Sequence, residues 1–238
     1  MASVIRLYVD HPLGVGQSVP LNREQSHYLF GVMRRGVGEV IELFNGIDGE
    51  WLARVVQAGK RNAILLCESK SKPMMLPPDL WMMFAPIKKV RTDFIVEKAT
   101  EMGAAQILPV QTDFTNSERI RQDRLQNHAV EAAEQCGGTY VPPVMELQKL
   151  SKLLDGWDDR HIMFCDENRL GEAVALPQQP GPWAILIGPE GGFSPAERER
   201  LEAMPQAQGV SLGPRILRAD TAAVAALALW QTSLGDWQ

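Results

Sequence analysis

Two glycine-bearing segments near the end of the chain carry the residues best suited to chemistry. Gly188-Pro189-Glu190-Gly191-Gly192 follows an apolar run, Trp183–Ile187. Gly213-Pro214-Arg215-Ile216-Leu217-Arg218 follows a second run over about Gly209–Leu212. Each segment feeds a helix pattern. Glycine accepts positive φ and lets a ligand approach the main chain closely. In open α/β sheets, ligands lie beyond the carboxyl ends of strands. Either segment alone reads as an ordinary strand-to-helix turn, but two in tandem read as one pocket with largely main-chain walls. Ser194 is the expected helix cap, with Pro195 at the first helical position and Glu197 completing a capping box. That role makes Ser194 a poor candidate nucleophile.

Other chemistries fail on their motifs. GPEGGFS lacks the Lys-Ser/Thr ending of a nucleotide P-loop, no GxGxxG opens an early βαβ unit, and neither HExxH nor GxSxG occurs. His11, His27, His128 and His161 are scattered. Cys67, Cys136 and Cys165 show no metal-ligand spacing, so no metal is expected, and reduced thiols fit a cytoplasmic protein. The opening MASVIRLYVDHP has charges inside its apolar alternation and does not read as a signal peptide. The longest apolar run, Ala222 to Trp230, is too short to span a membrane, so no membrane partner is expected. The 238 residues carry a net charge of −5, which argues against bulk electrostatic attraction to nucleic acid. A nucleic-acid partner would have to be held by local basic patches.

The elements that position these residues follow from periodicity and turn signals. Val4 to Val9 reads as a strand, Asn22 with Gln25 as the capping box of a short helix through Val32, and Glu39–Phe44, Glu50–Val56 and Asn62–Glu68 as strands. Several short strands predict a small β-barrel. Lys70 to Asp79, rich in proline, reads as an interdomain linker. Beyond it strands and helices alternate, which implies a largely parallel sheet. Strands are expected at Leu80–Pro86, Ile107–Val110 and Arg160–Cys165, and helices over about Val90–Met102 (closed by Gly103), Ser117–Cys136 and from about Leu170. The last helix, TAAVAALAL over Thr221–Leu229, has almost no polar face and should be buried all round. It either passes through the body of the fold or packs in a subunit interface. Asp220 and Thr221 are expected to cap it.

Arg6, Arg34, Arg35, Lys60 and Arg61 form one candidate phosphate-contacting patch. Arg119, Arg121, Arg124 and His128, expected on the long helix, form another. Phosphate contacts would give position and salt-dependent affinity rather than sequence choice.

GPEGGFSxxE followed by LGxRILRxxTA resembles the C-terminal signature of the RsmE-type 16S ribosomal RNA uridine-N3 methyltransferases, of the knotted SPOUT class. The resemblance extends to KVRTDFIVEKATEMGAAQILPV and EAAEQCGG, and more loosely to the first seventy or so residues. Asp220 stands where family members often have Glu. The resemblance implies a PUA-like RNA-binding β-barrel over residues 1–72. It further implies a SPOUT-type α/β parallel sheet with a C-terminal trefoil knot over residues 73–238, and a homodimer. The implied cofactor is S-adenosyl-L-methionine, held by Ile187, Gly188, Pro189, Glu190, Gly191, Gly192, Leu212, Gly213, Ile216, Leu217, Arg218 and Thr221. The ends Phe84-Ala85-Pro86 and Cys165-Asp166-Glu167 are expected to help line the site. The implied partner is 16S rRNA of the small ribosomal subunit, with Arg6, Arg34, Arg35, Arg121 and Arg124 as RNA-binding residues. Arg218 would stabilise charge developing on the base or fix its phosphate. Glu190 would accept the N3 proton or orient the cofactor, unless it is only a carboxylate favourably placed ahead of a helix start. Methylation of a ribose 2′-O or of another base position is the alternative within the enzyme class. A non-catalytic RNA-binding assembly factor is the alternative outside it.

Overall fold

The computed structural model describes residues 5–116, 119–157, 159–172 and 178–237. The chain divides into two compact units, Met1–Leu76 with Ala133–Val141, and Pro77–Ala132 with Pro142–Gln238.

The first unit holds strands β1 (Arg6–Tyr8), β2 (Ser18–Pro20), β3 (Val40–Phe44), β4 (Glu50–Gln57) and β5 (Ile64–Lys72), with helix α1 (Arg23–His27). The sheet order is β1-β3-β4-β5-β2, with β1 parallel to β3 and the other pairs antiparallel. Three register shifts between β4 and β5 bend these long strands, as bulges do, and curl the sheet. Leu7, Leu29, Ile41, Leu43, Val55 and Leu65 fill its concave side. The Asn22–Gln25 capping box is present, and α1 continues as a π-helical turn, Tyr28–Val32. β5 runs on to Lys72, because Lys70 and Lys72 pair with Trp51 and Glu50. The first residues of the expected linker are therefore the polar end of a strand. Val4, expected to start β1, lies outside the described residues.

The second unit is a six-stranded parallel sheet in the order β11-β9-β10-β6-β7-β8. Its strands are β6 (Leu80–Phe84), β7 (Gln106–Gln111), β8 (Gln148–Lys149), β9 (His161–Cys165), β10 (Trp183–Ile187) and β11 (Ala207–Val210). Helices α2 (Lys89–Glu101), α3 (Gln122–Cys136, whose last turn belongs to the first unit), α4 (Leu150–Asp155), α5 (Pro195–Ala203) and α6 (Ala219–Leu234) connect and cover them. β10 is buried at every residue, as a central parallel strand must be. Gly103, at φ 78°, closes α2: its N–H donates to the Thr100 carbonyl and the Ala104 N–H to that of Ala99, a Schellman ending.

Four expectations need correction. α3 starts at Gln122, so Arg119 and Arg121 precede the helix; Ser117 lies outside the described residues. The helix expected from about Leu170 is a single 3-10 turn, Glu167–Arg169, and residues 173–177 lie outside the described residues. β11 lies two residues earlier than its apolar pattern indicates, and β8 and α4 were not foreseen. α6 begins at Ala219 with Arg218 at the N-cap position, so Asp220 and Thr221 sit in its first turn rather than capping it.

Within this chain α6 is not buried all round. Ala222, Ala223, Ala226, Leu227, Trp230 and Gln231 are buried, while Val224, Ala225, Ala228 and Leu229 remain half-buried. Gln231 Nε2 donates to the Met102 carbonyl at 2.6 Å, tying α6 to the end of α2. No described helix is long and apolar enough to cross a membrane.

Candidate active site

Three neighbouring strands end level. Ile187 of β10 pairs with Cys165 of β9, and Cys165 pairs with Val210 of β11. Because all three are parallel, their carboxyl ends open on one edge of the sheet, where a ligand cavity is expected. A cavity is present there. Ile187, Gly188, Pro189, Glu190 and Gly192 line one side, and Leu212, Gly213, Ile216, Leu217 and Arg218 another. Cys165, Asp166 and Glu167 close a third. Val210, Phe193, Ala219 and Ala222 add apolar wall that the motifs did not identify. Two expected cofactor contacts are not brought to the cavity. Gly191 packs against Phe114, and Thr221 is exposed on the first turn of α6. Phe84, Ala85 and Pro86 are buried and do not line it either.

The first loop is fixed by its own sequence. Gly192 sits at φ 68°, a conformation that strains any residue with a side chain, and the Glu167 carboxylate lies over it, Oε1 2.7 Å from where a Cβ would stand. Ser194 Oγ accepts from the Glu197 N–H at 3.2 Å and donates to Asp113 Oδ2 at 2.6 Å. Glu197 accepts in return from the N–H groups of Ser194 and Asp113. The capping box thus pins the loop to the residues following β7. The second loop turns at Gly213, φ 110°, whose N–H donates to Ser211 Oγ.

The charged groups divide into spent and available. Asp166 is shielded from water, and its carboxylate receives Arg198 Nε at 2.9 Å. Arg91, on the first turn of α2, stands between Glu190 (3.9 Å) and Asp220 (3.7 Å) at the cavity rim. These contacts are long and part-exposed, the regime in which ion pairs contribute little. Sequence reasoning missed Arg91, since it carried no spacing signal within KVRTDF. Arg218 is exposed, and no carboxylate among the described residues lies within ion-pair distance of it. Burial pushes the Cys165 thiol up to about 12, so it is a neutral wall group and not a nucleophile. Apolar residues for a flat base, peptide groups for its edge, and charges of both signs for a zwitterion make a donor set that fits an adenosyl-amino-acid ligand.

Residues 74–231 match the family model described as an RNA methyltransferase domain, and residues 21–66 match an RNA methyltransferase PUA domain. The chain belongs to the RNA methyltransferase family. A Synechocystis relative, named ribosomal RNA small subunit methyltransferase E, is 30% identical, with 94% of this chain and 76% of the relative covered. The crystal structure of the ribosomal RNA small subunit methyltransferase E of Neisseria gonorrhoeae, bound to S-adenosyl methionine, superposes with a TM-score of 0.89 at 29% identity, covering 99% of this chain and 100% of that one. A Legionella pneumophila structure in complex with the cofactor SAM has a TM-score of 0.87 at 28% identity, covering 99% and 100%.

Among the expected RNA contacts of this methyltransferase family member, Arg6 requires correction. Its Nε donates to Glu50 at 2.7 Å, Nη1 to the carbonyls of Ala133 (2.6 Å) and Glu134 (2.9 Å), and Nη2 to that of Gly138 (2.8 Å). Its side chain is 10% exposed and four of its five N–H donors are spent inside the unit, so it is an internal clamp rather than a phosphate contact. Sequence gave no sign of this, because the carbonyls lie more than 120 residues away. Arg34 is exposed and sits at φ 54°, the one non-glycine residue with positive φ among those described. Arg35 pairs with Glu39 at 3.0 Å, Arg121 with Asp123 at 2.7 Å, and Arg124 with Asp93 at 2.5 Å. Lys89, Arg119, Arg121 and Arg124 line a groove floored by Pro86, Ile87, Ile120 and Leu125.

Proposed function

We propose that this chain transfers the methyl group of S-adenosyl-L-methionine to N3 of a uridine in 16S rRNA of the small ribosomal subunit. The observation that carries the reading is the cavity at the level ends of β9, β10 and β11, walled by two glycine loops and overlooked by an exposed Arg218. Its sequence relatives are small-subunit rRNA methyltransferases, and a close structural counterpart holds S-adenosyl methionine.

When bound, S-adenosyl-L-methionine supplies an electrophilic methyl group on a sulfonium. The chain must supply alignment and a nucleophile. Neutral N3–H is a weak nucleophile; the N3–CH3 bond forms as the methyl–sulfur bond breaks, and the N3 proton leaves. Arg218 offers planar paired donors to the uracil oxygen on which negative charge grows, or holds the base's phosphate. Glu190 accepts the N3 proton or orients the cofactor, with Arg91 keeping it at the rim. Ile187, Leu212, Ile216 and Leu217 wall the adenine. Arg34 meets RNA phosphates, and Arg35, Arg121 and Arg124 exchange their present carboxylate partners for them.

The same reading assigns RNA binding to residues 1–72 and catalysis to residues 73–238, with the end of the chain threaded as a trefoil knot. In support of the knot, the chain leaves β11 at one edge of the sheet and packs α6 on α2. The half-buried strip Val224, Ala225, Ala228 and Leu229 supports a homodimer, since such a face favours cover. The place of action is the cytoplasm, where ribosomes are assembled. Nucleoside mass spectrometry of rRNA from a strain lacking the gene tests the target atom. Loss of 3-methyluridine alone is expected, and loss of a 2′-O-methyl nucleoside instead would remove the reading.

A further inference from the structure

β9 and β10 hand over to turns on the same edge of the sheet, directly after the paired residues Cys165 and Ile187. β10 continues into the glycine loop, and β9 into Asp166-Glu167-Asn168. In dinucleotide-binding α/β sheets, a glycine loop follows one strand and a carboxylate beyond a neighbouring strand accepts from a ribose hydroxyl. The strand ends here present the same two parts side by side.

Of the two carboxylates in the β9 turn, only one is free for a ligand. Asp166 is committed: its N–H donates to the Val210 carbonyl, its carboxylate receives Arg198, and it also accepts from the Asn168 N–H. These bonds anchor the turn to β11 and α5. Glu167 is exposed to the cavity and lines it, and no cation among the described residues pairs with it. Its Oε1 lies over Gly192, 2.7 Å from where a Cβ would stand, so the carboxylate is seated against the glycine loop. An ionised carboxylate only accepts, through two oxygens. Vicinal hydroxyls are its matching pair of donors.

We propose that Glu167 is the ribose-binding residue of this cavity, its carboxylate accepting hydrogen bonds from the 2′- and 3′-hydroxyls of the cofactor's adenosine. Asp166 is the positioning residue that presents it. The proposal rests on the S-adenosyl-L-methionine reading above.

Calorimetry on the full chain tests it, with S-adenosyl-L-homocysteine, its 2′-deoxyadenosyl analogue, 5′-methylthioadenosine and S-adenosyl-L-methionine as probes. Binding of S-adenosyl-L-homocysteine to the unaltered protein checks the underlying reading independently. Given that binding, removal of the 2′-hydroxyl should weaken affinity about tenfold or more, the usual effect of losing a hydrogen bond to a charged group. Glu167→Ala should weaken binding of S-adenosyl-L-homocysteine and 5′-methylthioadenosine alike, and should abolish the 2′-deoxy penalty. Glu167→Gln, which keeps one acceptor, should fall between. A 2′-deoxy penalty unchanged in Glu167→Ala overturns the proposal. So does a loss confined to S-adenosyl-L-methionine, which would assign Glu167 to the sulfonium charge. A loss absent with 5′-methylthioadenosine also overturns it, by assigning Glu167 to the amino-acid tail.

Discussion

Replacing Arg6 by methionine should destabilise the first unit while leaving RNA affinity at the level expected of a folded protein. Methionine keeps much of the stem's length, so the loss is mainly polar. Four donor contacts disappear: one to the fully shielded Glu50 carboxylate, and three to carbonyls at and just beyond the end of α3. Lys72 and Ser71 still reach Glu50, at 3.1 and 2.9 Å, but Lys72 is part-exposed. Removing one partner from a buried ion pair costs about 3–5 kcal/mol. At a urea dependence of about 2 kcal/mol per molar, the midpoint should fall by about 2 M. Hydrogen-exchange mass spectrometry on β3 to β5 peptides across a urea series would read this unit by itself. pH supplies a second arm. Burial pushes the Glu50 carboxyl up, but hydrogen bonds from Arg6, Ser71 and Lys72 outweigh it and hold the carboxyl below its ordinary value. Its contribution is therefore present above the unfolded-state pKa and is lost as pH falls through the lower folded value. Without Arg6 desolvation dominates, and protonation relieves the variant. The gap between the two proteins should thus be widest near neutrality and narrow below about pH 4.5. An unchanged midpoint, together with a shallower salt dependence of RNA binding, would refute this account and return Arg6 to the phosphate-contacting surface.

Arg218→Ala should keep affinity for S-adenosyl-L-homocysteine within about threefold but lower methyl transfer by about a hundredfold or more, the scale of one lost charge-stabilising donor; single-turnover assays on small-subunit RNA would reveal either outcome, and unaltered turnover would rule out the role. Iodoacetamide at pH 8 should label the exposed Cys136 and spare Cys165, whose thiol at about 12 leaves roughly one part in ten thousand ionised; equal labelling by peptide mass spectrometry would contradict its assignment as a neutral wall group. Ser194→Ala removes a cap and leaves Asp113 without its hydroxyl donor, so thermal stability should drop by about 1–2 kcal/mol, and cofactor affinity should fall with it as the glycine loop loosens. A variant that melts and binds like the parent would show that the loop holds its shape without the cap.

Local rules carried far where the cause was local. The Ser194 capping box, the Asn22–Gln25 box, the Gly103 ending and the limits of β10 depend on residues within one or two turns, and all were legible. Features decided by distant partners were not. β5 runs past its apolar pattern because β4 offers it a partner, and the two-residue β8 exists only because β7 has a free edge. The start of α6 was misplaced because Asp220 and Thr221 are good capping residue types, whereas the observed N-cap, Arg218, carries no capping signal. At the cavity, the two glycine loops announced themselves and the family resemblance already placed the Cys165-Asp166-Glu167 turn beside them, whereas Arg91 depends on which helix start becomes their neighbour. Arg6 is the clearest case: its charge suggested a surface role, and only the carbonyls of residues 133–138 show otherwise.

Those carbonyls also bear on synthesis. The first unit is discontinuous in the chain, because Ala133–Val141 completes what Met1–Leu76 begins. A nascent chain on a translating ribosome will have made every strand of the curled sheet long before it makes the residues that seat against β1. The early sheet must wait with Arg6 and the Tyr8 N–H incompletely satisfied. An expression fragment cut after Leu76 would carry that unfinished state permanently, and grafting the short return segment onto it would be the shortest route to a self-sufficient piece.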